Sequence, residues 1–534
     1  MCGIFLRLCA LSIWSASFLF CATEPPDYPL SRGPAKLTFE DLLRLAVADP
    51  LPPDVADRLQ HLLTEPFIGN QATFSGVTPR RPNDAKAGPL LRVAEWNIER
   101  GLNESEVELS LSRDERFEER ASIEERSSSQ DRSRLRRALL TLRDADIVIL
   151  DEVDLGMKRT KYVDVTRSLA KALHFNYVYG VEFIELERLY LGEKKLDLIA
   201  NSRDHDPKEL FGVDPRRYEG LEGATVLSRY PIRNARILRL PECYDWFHGE
   251  MKQISDLEKL RRWSAERIFE ESIRRQVRRG GRMALIVDIE IPEALNRQVT
   301  VIAPHLENYC SPNCRKRQMD FLLDHVRTIS NPVILGGDLN TTGHDGTPTS
   351  VRHEVLKRIR DYRFWARQAV FWFIPVPFAG VIAAPINYFK NHHDPTAFNL
   401  PLLLPNREKG LFKDAREFRF ADGGKFDFMG REEKAVAHKG RTLSQSDQRK
   451  WKGFDPTFFF RKRYFHLVGS YKLDWFMVKL GESEPGDLQA RPFTPRFGRT
   501  LTDVNTALGT RISDHCPITI DLPLTPQAQD RFRP

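Results

Sequence analysis

Residues 147–154 read IVILDEVD, four apolar residues that run directly into a pair of carboxylates. Upstream, Leu135, Leu139 and Leu142 recur at helical spacing, and the polar turn from Asp144 to Asp146 ends that pattern. The order is helix, turn, buried strand, with acidic side chains at the strand's far end. Similar apolar runs occur at Leu90 to Trp96, Val299 to Ala303, Val333 to Leu335, Leu473 to Val478 and Ile518 to Leu522. Most end in acidic, amide or imidazole residues, and open α/β sheets gather their functional groups in the loops beyond the strands. The pattern predicts an α/β protein with one site assembled from scattered segments.

The composition sets the outer limits. Apolar residues make up 41% of the 534 residues and charged residues 29%, which excludes a disordered chain, a collagen or a multi-span membrane protein. Lys plus Arg number 81 against 74 Asp plus Glu, and a net +7 over such a length neither requires nor excludes a nucleic-acid partner. Residues 8–23 are uncharged, follow Arg7 and give way to a Pro-rich polar stretch, as in a secretory signal or a short anchor. This predicts an exported protein: periplasmic, extracellular, or held at the outer face of a membrane. Beyond this segment lie Cys243, Cys310, Cys314 and Cys516. Cys310 and Cys314 flank Ser-Pro-Asn, a turn-forming sequence, so a local disulfide between them is favoured over two thiolate metal ligands.

Taken singly, Asn, Asp and His at strand ends are turn and capping residues. Their joint order carries more. Along the chain come Asn97 and Glu99 in EWNIERG, Glu152 in VILDEVD, His305 in VIAPHLEN, Asp338 and Asn340 in LGGDLNTT, Asp474 in YKLDWF, and Asp514 and His515 in ISDHCPI. This series resembles the endonuclease/exonuclease/phosphatase superfamily, which includes DNase I-like nucleases, neutral sphingomyelinases and inositol polyphosphate 5-phosphatases. GATVLSRYPI at residues 223–232 also resembles a family segment, with Ala224 where an Asn is often found. The resemblance implies a DNase I-like four-layer α/β sandwich, two packed mixed β-sheets flanked by helices. It places that domain at residues 90–523, with insertions near 104–134, 241–281 and 350–465, after a signal or anchor (1–23) and an N-terminal extension (24–89), and before a C-terminal tail (524–534).

The implied chemistry is metal-dependent hydrolysis of a phosphate ester. Such a reaction needs a hard divalent cation, Mg²⁺ or Mn²⁺, held by few carboxylates so that it keeps waters and polarises a phosphoryl oxygen. By resemblance Glu152, Asn97 and Asp514 form the metal shell; Glu99 lies near a position that some members fill with a carboxylate. A water nucleophile needs a base, and an imidazole oriented by a carboxylate serves, which suits His515 with Asp474. Asp338 is expected to position the water or assist the leaving group, and Asn340 and His305 to stabilise phosphoryl charge. Gly336 and Gly337 are expected to let the backbone approach a phosphate.

Two segments bear on the substrate. Residues 368–389 (QAVFWFIPVPFAGVIAAPINYF) are uncharged, and three prolines argue against a straight membrane helix. They read as a buried cover or as an aromatic loop dipping into a lipid interface. FFFRKRYF at 458–465 reads as a strand with one solvated face, or as a surface for single-stranded nucleic acid or an anionic head group. The expected substrate is a nucleic acid or a phospholipid, with no obligate protein partner. The alternatives are a phosphomonoesterase acting on inositol phosphates and an inactive binding module on the same fold.

Overall fold

The computed structural model describes residues 29–75, 83–84, 88–124, 129–186, 191, 212–251, 276–294, 297–341, 408–427, 457–464, 468–479 and 496–523. The segments expected to form the signal (1–23), the aromatic insertion (368–389) and the C-terminal tail (524–534) lie outside them.

Alternation along the strands builds the layers. In the strand Gly88–Arg100, Leu91 and Val93 face one core, while Ala94, Trp96 and Ile98 face another. The strand Ile147–Leu155 pairs with it in parallel and repeats the division, with Ile147 and Ile149 on one side and Val148 and Leu150 on the other. These two are central in a ten-stranded mixed sheet, flanked by Leu221–Ser228 and Asn176–Glu185 on one side and Ile518–Pro523 on the other. A six-stranded mixed sheet contains Ile232–Arg239, Met283–Glu290, Gln298–Pro304, Val333–Asp338, Asp474–Lys479 and Phe426–Asp427. One continuous core joins the inner faces of both sheets: a Cβ on Gly336 would meet Phe476 within its own sheet and Ile149 Cδ1 across the interface.

Helices cover both outer faces. Phe39–Val47, Pro53–Thr64, Ser129–Arg143 and Val165–Leu173 bury Leu42, Leu59, Leu139 and Leu169 over the ten-stranded sheet. Pro312–Val326 and Lys409–Glu417 bury Met319, Leu322, Leu411 and Phe412 over the six-stranded sheet. The molecule is the four-layer α/β sandwich expected, of the DNase I-like class. The Glu/Arg-rich stretch after residue 104 folds as helices, and Val107 and Phe117 anchor it. Residues 29–75 join the domain's sheet, where Phe67–Gly69 adds a strand beside Asn176–Glu185.

Two local expectations are corrected. The disulfide joins Cys243 to Cys314, and Cys310 is a buried thiol outside it that donates to Glu307 O at 3.3 Å. Ser-Pro-Asn forms the first turn of a helix that Pro312 opens, with Cys314 N donating to Ser311 O at 2.9 Å; the sulfurs of Cys243, Cys310 and Cys314 lie within 4.8 Å of one another, and Cys314 pairs with Cys243. Gln318 Nε2 donates to Pro241 O at 2.9 Å and Arg317 Nη2 to Glu242 O at 3.2 Å, which brings the Cys243 segment onto that helix. Gly336 and Gly337 likewise serve packing and not a phosphate. They sit in a buried strand, and a Cβ at Gly337 would lie 2.2 Å from Pro304 O.

Candidate active site

The inward alternation that places Leu91 and Val93 in the core continues to Asn97, and it brings Asn97 to the end of the Val333–Asp338 strand. Asn97 Nδ2 donates to Asp338 Oδ2 at 3.3 Å. Asp338 pairs across the sheet with Asp474, the first residue of its strand. His515 arrives from the segment preceding Ile518–Pro523, tied down by Trp96 Nε1 donating to His515 O at 3.0 Å and Ser513 Oγ donating to Asn97 O at 2.7 Å.

His515 Nδ1 donates to the Asp474 carboxylate, 2.9 Å from each oxygen, and His515 Nε2 faces Asp338 Oδ2 at 3.7 Å. All three side chains are buried. Burial opposes the imidazolium, but the Asp474 and Asp338 carboxylates outweigh it and hold the His515 pKa well above the usual imidazole value. Burial likewise opposes ionisation of Asp474, yet His515 keeps its carboxyl below the usual range. Liganding atoms of Asp338, Asp474 and His515 lie within 4.8 Å of one another. Because Asp474 already spends both oxygens on His515, this trio is an oriented imidazole more than a cation cage.

His305 approaches from the other side. Its Nδ1 lies 3.1 Å from Glu182 Oε1, its Nε2 lies 3.8 Å from Asp338 Oδ2, and Arg282 Nη1 is within 3.0 Å of the ring nitrogens. Burial and Arg282 oppose its charge, but Glu182 prevails and raises the pKa to about 9. Asn340, with a left-handed φ of 49°, donates from Nδ2 to Leu306 O at 2.9 Å, and its backbone N–H donates to Asp338 Oδ1 at 2.8 Å.

Glu152 and Asp514 are partly exposed and sit close enough to interact. Burial raises the Asp514 carboxyl above its usual pKa, opposed by His515 and reinforced by the charge of Glu152. Glu152 and Asp514 each offer carboxylate oxygens and repel one another electrostatically, a repulsion that a hard divalent cation would relieve. The Glu99 backbone N–H donates to Asn97 Oδ1 at 3.1 Å, and its φ is 48°.

Sequence pattern did not single out four buried charged residues here. Asp151 Oδ2 accepts from Asp338 N at 2.8 Å, and burial lifts its carboxyl to a pKa of about 7. Glu95 is fully buried, and burial followed by the charge of Asp474 raises its pKa well above the carboxylate range. Glu182 and Arg282 orient His305, with Arg282 Nη1 donating to Glu182 Oε2 at 2.8 Å. Charged residues within otherwise apolar strands, as in NYVYGVEFIE at 176–185, were the available signal.

Two packed mixed sheets with a buried His–Asp pair at the strand ends define a phosphoesterase-type sandwich. The chain belongs to the endonuclease/exonuclease/phosphatase family, whose model matches residues 94–515. Among solved structures, it is similar to an endonuclease/exonuclease/phosphatase from Beutenbergia cavernae, with 15% identity over 84% of this chain and 73% of that one and a TM-score of 0.34. Truncated Caenorhabditis elegans TDP2 shares 13% identity over 81% of this chain and 97% of that one, at a TM-score of 0.32. The human Nocturnin catalytic domain shares 13% over 81% and 94%, at 0.28. No curated protein matches the chain.

Proposed function

We propose that this protein is an exported, Mg²⁺-dependent phosphodiesterase, with Mn²⁺ able to substitute, acting on a nucleic acid or a phospholipid. The observation that carries the reading is the His515–Asp474 pair at 2.9 Å, with Nε2 left facing Asp338. Nδ1 is committed as a donor to Asp474, so Nε2 is the atom that takes a proton from water. Asp474 fixes the tautomer and favours the imidazolium that forms. Asp338 orients the water, while Asn340 and the cationic His305 meet charge developing on the phosphoryl oxygens. Glu152, Asp514 and Asn97 would hold the cation, which when bound supplies Lewis-acid polarisation of the phosphoryl group.

Export rests on the uncharged segment at residues 8–23, and peripheral lipid contact on the aromatic segment at 368–389. The test is turnover of bis-p-nitrophenyl phosphate against p-nitrophenyl phosphate with Mg²⁺ or EDTA, followed by DNA, RNA, sphingomyelin and inositol phosphates in parallel. Metal-dependent cleavage of the diester is expected. Preference for the monoester and inositol phosphates would replace the diesterase reading, and inactivity on every substrate would leave a binding module.

A further inference from the structure

The Arg100 side chain is brought to the candidate site by unusual backbone. Glu99, Arg100 and Gly101 are three consecutive left-handed residues, with φ of 48°, 65° and 73°. Between the pairs Asn97–Asp151 and Arg100–Val153 the register slips, so Ile98 and Glu99 stand opposite Glu152 alone. A second slip lies on the other side of Glu152, between Leu150–Thr225 and Val153–Gly223. Glu152 itself has a φ of 53°. Bulges of this kind re-aim side chains beside active sites, and left-handed non-glycine residues persist only where the surroundings hold them. Here they turn Arg100 and Glu152 toward the same space.

The Arg100 guanidinium is underused by the protein. Its Nε is sealed from solvent and has no hydrogen-bond partner among the described residues. The nearest carboxylate oxygens are Glu222 Oε2 at 3.5 Å and Glu152 Oε2 at 3.9 Å. Neutralising Glu222 does not account for Arg100, because Arg278 and Arg159 each donate to that carboxylate at 3.1 Å. By contrast, Arg159 is fully occupied, bonded to Asp154, Glu185 and Glu222. The Arg100 side chain keeps 28% of its surface open, next to Glu152 at 22%. A partly open planar fork without a bidentate partner among the described residues matches the oxygens of a phosphoryl group.

We propose that Arg100 is a substrate-binding residue whose guanidinium takes a non-bridging oxygen of the substrate's phosphoryl group beside Glu152. The proposal rests on the phosphoesterase reading for its substrate, but phosphate binding tests it separately. The full chain and its Arg100→Gln and Arg100→Lys variants are titrated with inorganic phosphate by calorimetry, with Mg²⁺ and again in EDTA. Arg100→Gln is expected to weaken phosphate binding about tenfold or more, and Arg100→Lys, which keeps the charge and loses the fork, to recover part of that loss. In turnover assays the same variants shift KM and kcat together. Should Arg100→Gln fail to fold, the lysine variant carries the comparison with a smaller expected shift.

Phosphate binding equal in wild type and variants, or absent from all of them, overturns the assignment even if the variants lose thermal stability. A wild type that binds phosphate through Arg100 but cleaves no ester upholds it and removes the hydrolase reading instead.

Discussion

His515 and Glu152 reach one site but are held by opposite means. His515 is fixed by hydrogen bonds in a buried setting: Trp96 and Ser513 hold its backbone, and Asp474 holds its ring. Glu152 is held by backbone bulges and an ionic lattice in which Arg100, Arg159 and Arg278 surround Glu222. Burial opposes ionisation of Glu222, but those arginines keep its pKa at about 2. The first arrangement fixes where a proton goes. The second gathers charge beside the partly exposed Glu152, the side we propose for cation and phosphate binding. A dry half for proton transfer and a charged half for binding is a division of labour open to mutation.

The largest effect is expected on the dry half. His515→Ala should lower kcat by about 10²–10⁴-fold while leaving Mg²⁺ affinity nearly unchanged, measured by turnover and metal titration. Glu152→Gln should do the reverse in kind, raising the Mg²⁺ concentration needed for half-maximal rate. If both variants show the same metal dependence, the two halves are not separable.

Next in size is the disulfide. Cys243 and Cys314 are 71 residues apart, and reducing the pair should cost about 2–4 kcal/mol of stability by freeing the unfolded chain. Denaturation with and without a dithiol reductant measures this. Activity at low temperature should survive, since neither cysteine reaches the His515 pair.

The pH profile sharpens the same division. His515 must be unprotonated to accept a proton, and its pKa is raised by Asp474 and Asp338 against the effect of burial, so kcat/KM should rise with pH along a limb above the usual imidazole range. Asp474→Asn should move that limb to lower pH. A limb that stays in place would mean another group titrates.

The smallest effect concerns His305. Its folded pKa of about 9 exceeds the ordinary 6.5, so its stabilising contribution is complete below about pH 6.5 and lost as pH rises through about 9. Thermal melts should show this decline in the wild type and a shallower one in Glu182→Gln.

The sequence announced the dry half and hid much of the charged half, for physical reasons. Asn97 and Asp338 lie near the ends of their strands, His305 follows one, and Asp474 and His515 lead into theirs, so strand direction carries all five to one edge. Period-2 alternation also explains why Asp151 points inward beneath Asp338, although adjacency to Glu152 masked it. Arg100 could not be placed from its spacing, because its position depends on a register slip and left-handed backbone. The Cys243–Cys314 pairing was equally illegible, since it depends on how an insertion folds back over a helix.

The most direct test of the His515–Asp474 pair as the base is the pre-steady-state rate of diester cleavage at saturating Mg²⁺ in wild type, Asp474→Asn and His515→Ala. Both variants should be slowed at least a hundredfold, with nothing further lost in the double variant, as expected for two residues acting as one unit. Independent, multiplying losses, or wild-type rates in either variant, would contradict it.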